Sequence, residues 1–115
     1  MQQDCLFCKI VNREIPAKIF YEDDRLLAFY DIEPAAPVHI LLIPKKHIAN
    51  ILETTAEDQD LLQHLLSTVP KIAKQAGIDE AGFRTVINTK NNGGQTVHHM
   101  HFHILGGRVM AWPPG

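Results

Sequence analysis

The sequence predicts an α+β fold, a five-stranded antiparallel sheet carrying one long and one short helix. Three observations point there. Short apolar runs alternate with turn residues over most of the chain, which is the pattern of hairpin-connected strands. One long stretch, about 55 to 76, repeats its apolar residues at helical spacing. There is no repeat, linker or low-complexity segment to divide the 115 residues, so a single domain over 1–115 is expected.

Taken in order, residues 5–12 (Cys-Leu-Phe-Cys-Lys-Ile-Val-Asn) suit a short helix burying Leu6, Phe7 and Ile10. Residues 17–22 and 25–31 read as two strands around the Asp23-Asp24 turn, and Pro34 and Pro37 bracket a loop. Residues 38–43 form a third strand, ended by Pro44. The long helix has a capping box in Thr54 and Glu57, and Gly77 suits the left-handed residue past its end. Leu61, Leu62, Leu65, Leu66, Val69, Ile72, Ala73 and Ala76 make its apolar face, with Pro70 expected to kink it. Residues 83–89 and 97–105 complete the strands, separated by the turn-rich Asn91-Asn92-Gly93-Gly94.

Composition narrows the function. The net charge is −2, and basic residues never cluster beyond Lys45-Lys46. Nucleic-acid binding, which needs a basic stripe to collect phosphates, is therefore not expected. No apolar run reaches the roughly 20 residues of a membrane span, and Met1-Gln2-Gln3-Asp4 does not begin a signal peptide, so a cytoplasmic address is expected. Two cysteines cannot staple a small secreted domain; Cys5 and Cys8 read as a metal half-site, a redox pair or two buried thiols.

Histidine is the strong signal, with seven in the chain. On a strand, His99, His101 and His103 project to one face, spaced about 7 Å apart along the backbone, while Met100, Phe102 and Ile104 face a core. His98 falls on the opposite side. Three buried imidazoles would each need hydrogen-bond partners, so a row of nucleophiles and proton carriers is the better reading. A zinc site built on alternating histidines is its competitor. His39, on the third strand with Leu41 and Ile43, can orient one ring of the row. Gly93-Gly94-Gln95-Thr96 groups backbone N–H donors and a hydroxyl, either an anion cradle or a plain turn.

His99-Met100-His101-Phe102-His103-Ile104-Leu105 resembles the defining motif of the histidine-triad superfamily. Phe7-x-Lys9-Ile10, Glu14-Ile15-Pro16-Ala17, Ala28-Phe29-x-Asp31-Ile32, Ala36-Pro37-x-His39, Ile43-Pro44-Lys45-Lys46-His47, Gly93-Gly94-Gln95 and the tail Gly106-Gly107-Arg108 with Trp112-Pro113-Pro114-Gly115 are similar to its nucleotide-binding (Hint) branch. The resemblance spans essentially the whole chain. It implies a homodimer whose sheet runs on across the partner, with tail 106–115 reaching the partner's site. It also implies hydrolysis of purine nucleoside phosphoramidates, such as AMP linked through nitrogen to an amine, by way of a nucleotidyl-histidine.

Carried over by position, the resemblance makes His101 the nucleophile, His103 a phosphate ligand, and His99 and His39 the orienting histidines. Asp31 would bind the ribose, with Ile32, Phe7 and Ile10 lining the nucleoside pocket. Asn88, Gly94, Gln95 and Thr96 would be the remaining nucleotide contacts, and Trp112 the tail residue. No divalent metal is needed for the chemistry. Some bacterial members hold a structural zinc, and the matching ligands here are Cys5, Cys8, His47 and His99. Thr96 stands where serine is usual, His98 where an aromatic is more common, and Ala111 departs from the tail pattern. Dinucleoside polyphosphate hydrolysis and a nucleotide-holding interaction module are the alternative functions.

Overall fold

In the computed structural model, which describes residues 4–115, a short helix α1 (Leu6–Val11) precedes a hairpin of β1 (Ile19–Glu22) and β2 (Leu26–Tyr30). Then follow β3 (Val38–Pro44), the long α2 (Gln59–Gln75), β4 (Phe83–Ile87), a one-turn α3 (Lys90–Gly93) and β5 (Phe102–Gly106). All strand pairs are antiparallel, in the order β1-β2-β3-β5-β4. The expected α+β sheet is therefore present, with β5 inserted between β3 and β4.

Strand alternation sorts the core into two layers. Leu26, Ala28, Ile40, Leu42, Phe102 and Ile104 pack on one face with Leu61, Leu65, Val69, Ile72 and Ala73 of α2. Leu27, Phe29, Leu41 and Ile43 face the other way and are covered by Cys5, Phe7, Cys8 and Ile10 of the N-terminal segment. α2 therefore closes one side of the sheet, while α1 covers only part of the second. The uncovered part of that side is where chemistry has room.

Several local expectations shift. The capping box forms one residue later: the Asp58 carboxylate accepts from the Thr55 N–H (2.9 Å) and the Thr55 hydroxyl from Glu57 N–H (3.3 Å). Thr54 is not free for that role, since its hydroxyl donates to Ile51 O (2.8 Å) in the preceding 3-10 turn. Leu6 and Leu66 are exposed rather than buried. α2 continues through Pro70; Pro70 and Leu66 are both exposed, so the carbonyl left without its donor faces water. Gly77 does end the helix in the left-handed region (φ 74°), with Gly77 N–H on Lys74 O and Ile78 N–H on Ala73 O. Asn91-Asn92-Gly93 form α3 rather than an open turn.

The largest difference lies in the histidine segment, where a strand was expected from residue 97. β5 begins only at Phe102. Its ladder with β3 stops at Leu42↔Phe102, and residues 97–101 take other partners: Met100 N–H donates to Ile48 O (2.7 Å), and the His99 ring to Pro44 O (2.8 Å). The backbone bends there instead of running on in register.

Candidate active site

The site sits where β5, β3 and α1 meet. Leu41 of β3 lies directly opposite His103, and His39 opposite Leu105, so His39 and His103 are diagonal neighbours on one face. Their rings are linked by a 2.9 Å contact between His39 Nε2 and His103 Nδ1. The His101 ring lies 4.8 Å from that of His103, closer than the backbone spacing, and Phe7 packs edge-on against His101 at 5.0 Å.

The His101 and His39 rings are each oriented by a main-chain atom, and His39 in turn orients His103. His101 Nδ1 lies 2.7 Å from His99 O; a carbonyl only accepts, so Nδ1 carries the proton and Nε2 is left with a bare lone pair. Ala35 N–H donates to His39 Nδ1 (3.0 Å), which places the His39 proton on Nε2 and makes it the donor to His103 Nδ1. His103 must then hold its own proton on Nε2. That nitrogen is buried and has no hydrogen-bond partner among the described residues. A buried donor without a partner costs free energy unless a ligand supplies the acceptor.

Burial keeps the rings neutral. Desolvation pushes His103 and His99 down to about 4 and also holds His101 and His39 below the ordinary histidine value. Asp31, 3.5 Å from His39 Nε2, works against that shift, while its other oxygen accepts from Glu33 N–H (2.8 Å). Asp31, His39 and His103 also group ligand-type atoms within 4.8 Å, but the His39 and His103 nitrogens facing each other there are already joined by a hydrogen bond.

A cavity of about 310 Å³ opens onto His101 and His103. Of the residues singled out in the sequence, Phe7, Ile10, Asp31, Ile32 and Thr96 line it. Ile32 stands at its lip, 92% exposed. Tyr30, Leu41, Ile15, Pro16 and Val97 are also among the walls and were given no site role, because their apolar side chains look like ordinary core. Others lie elsewhere. The Gln95 side chain is consumed by the loop itself, accepting from Lys90 N–H (2.9 Å) and donating to Ala49 O (2.7 Å) and Val97 O (3.0 Å). Gly94 caps α3 with φ 79°, and Asn88 sits half-buried past β4; neither lines the cavity. Trp112 is 81% exposed, with the Arg84 guanidinium 5.9 Å over its ring. His98 is exposed on the bend.

Beside the site, Cys5, Cys8, His47 and His99 bring one ligand atom each within 4.8 Å of the others. Sγ to Nδ1 separations are 3.3 Å (Cys5–His99), 3.5 Å (Cys8–His99) and 3.3 Å (Cys8–His47). Zinc–sulfur and zinc–nitrogen bonds at a tetrahedral angle would separate the two atoms by about 3.6 Å. With His99 Nε2–H committed to Pro44 O, its Nδ1 lone pair is turned toward the sulfurs, as a metal ligand's should be. The set fits a closed Cys2His2 zinc site.

Fold and site together define a small α+β protein in which neutral histidines gather beside a cavity. The HIT domain family matches residues 12–110, and the chain belongs to that family. A HIT-like protein of Synechococcus elongatus is 64% identical over 115 residues, covering all of both chains. A 14 kDa zinc-binding protein of Brassica juncea is 50% identical over 114 residues, covering 97% of this chain and all of that one. Among solved structures, a HIT family hydrolase from Legionella pneumophila superposes with a TM-score of 0.95 at 52% identity, covering 97% and 100% of the two chains. A histidine triad nucleotide-binding protein from Candida albicans gives 0.83 at 33% identity, covering 96% and 83%. The fold is thus that of HIT family hydrolases and nucleotide-binding proteins.

Proposed function

We propose that the protein hydrolyses purine nucleoside 5′-phosphoramidates through a nucleotide held covalently on His101. One observation carries the reading: beside an apolar cavity, His101 keeps a bare Nε2 lone pair while the neighbouring His103 Nε2–H is a buried donor without a partner. A nucleophile next to an unanswered donor suits an electrophile bearing an oxyanion, and phosphorus in a phosphate ester or amide is such a group.

The nucleoside enters between Phe7, Ile10 and Ile32, with Asp31 positioned for ribose hydroxyls. Nε2 of His101 attacks phosphorus in line, the P–N bond breaks, and the amine leaves with a proton taken up from solvent, which the hydrolytic step gives back. Water then splits the nucleotidyl-histidine, releasing the nucleotide and restoring the neutral ring. His103 Nε2–H meets charge on a phosphoryl oxygen, and His39 holds that proton in place. His99 serves through its carbonyl, which fixes the tautomer of His101, while its ring faces the cysteines.

Cys5, Cys8, His47 and His99 would hold a structural zinc that fastens the start of α1, and with it Phe7, to the sheet. The zinc-binding relative supports this assignment. Bound there, zinc supplies folding energy and no step of the reaction. We also propose a homodimer in which tail 106–115, held to its own chain through Arg108, extends toward the partner's site; the exposed Val109 and Trp112 support it.

Mixing the protein with a labelled adenosine phosphoramidate for a single turnover should trap nucleotide on His101. His101→Ala should lose adduct and turnover while still binding AMP. Nucleotide binding without any adduct would favour a holding module, and faster turnover of dinucleoside polyphosphates would replace the substrate class.

A further inference from the structure

The tautomer of His103 depends on His39, and that of His39 on the N–H of Ala35. Ala35 belongs to the loop between β2 and β3, outside any ladder. What fixes this loop therefore fixes the proton at the reaction centre.

The tail supplies the clamp. β5 ends at Gly106, directly opposite Val38 at the start of β3, so the chain leaving β5 turns back over the loop before His39. Gly107 (φ 90°) lies so close that a Cβ there would be 2.8 Å from Cβ of Pro37. Arg108 then reaches across: Nη2 donates to Ala35 O (3.0 Å), and Nη1 to Val109 O (3.1 Å). One guanidinium thus joins the carbonyl of Ala35 to the tail, while the N–H of the same residue is aimed at His39. The fork geometry of arginine allows it to hold two acceptors at once.

We infer that Arg108 is a positioning residue for catalysis, acting through Ala35 and His39 to keep the His103 proton on Nε2. The inference rests on the phosphoramidase reading for its kinetic consequence, but not for its structural one. Arg108 touches neither the cavity nor the triad, so its loss should leave nucleoside binding alone. Loosening Ala35 lets His39 exchange its Nε2–H tautomer for the Nδ1–H form, which withdraws the donor from His103.

The test is to compare wild type, Arg108→Ala and Arg108→Lys by long-range 1H–15N spectra of the histidines and by steady-state kinetics. In wild type, His39 should be the pure Nε2–H tautomer. In Arg108→Ala a mixed signal is expected, with kcat down about tenfold, the usual scale for losing an outer partner of a functional histidine, and KM unchanged. Arg108→Lys, which restores a cationic donor to Ala35 O, should recover part of both. An unchanged His39 tautomer in Arg108→Ala overturns the inference, and so does a loss that appears in KM alone. If Arg108→Ala proves too unstable to measure, the lysine variant decides by the same spectrum. Should wild type show no phosphoramidate turnover, the functional reading fails while the tautomer spectrum still judges the role of Arg108.

Discussion

A histidine whose ring is buried and neutral leaves a mark on stability. His103 is held near 4, against about 6.5 in an unfolded chain. Between those values the unfolded chain binds a proton that the folded one refuses, so folding free energy falls as the pH drops through that window. Above pH 6.5 the effect is absent. His39 is shifted in the same direction. Urea midpoints should therefore decline from pH 6.5 to pH 4.5, and His103→Gln should flatten the decline. A wild-type midpoint that stays level over that range would remove the claim that these rings are buried neutral. At this scale the sequence singled out residues by type, and His101, His103, Asp31 and Phe7 do meet at one cavity. The Ala35 N–H, the His99 carbonyl and the Pro44 carbonyl were hidden, because every residue carries such groups and only the fold says where they point.

At the level of elements, α1 does two jobs in six residues. Phe7 faces the cavity, while Cys5 and Cys8 on either side of it face His99 and His47. A helix so short cannot hold itself together, since a single turn repays little of its nucleation cost. Zinc at the four ligands would fasten it. Protein purified without an affinity tag should carry about one zinc per chain, and Cys8→Ser should lose the metal and melt several degrees lower. Zinc far below that level in carefully handled wild type would leave two buried thiols instead. Strands β1 to β4 and helix α2 were legible from apolar spacing and turn residues. The histidine segment was less so: alternation gave the correct face, yet Met100 N–H takes the loop carbonyl of Ile48 and the His99 ring that of Pro44 at the end of β3, so the strand starts only at Phe102. Helical capping slipped by one residue because adjacent threonines offer the same hydroxyl, and the preceding turn claims the first.

For the molecule as a whole, α2 covers one face of the sheet and α1 only part of the other. β4 is an edge strand paired on one side only, and edges of this kind are templates for pairing with another chain. Phe83 and Val86 on it are only half-buried, and the adjoining tail exposes Trp112 and Val109. Sedimentation at micromolar concentration should accordingly give twice the 12.9 kDa chain mass. A monomer at the concentrations used for turnover would confine the tail to its own chain. The fold class followed from the sequence, since it depends on side-chain pattern. How copies meet did not, because an edge strand and an interface strand have the same alternation.

The anchors of the His39 and His101 rings are atoms that substitution hardly reaches. A carbonyl survives every exchange of side chain, and an N–H is lost only to proline. Pocket walls such as Ile10, Ile32 and Thr96 are free of that duty, so substitution there reshapes the cavity and leaves the ring anchors in place. The ring geometry is thereby insulated from drift in the pocket: its walls can be recast while the protons behind them stay put.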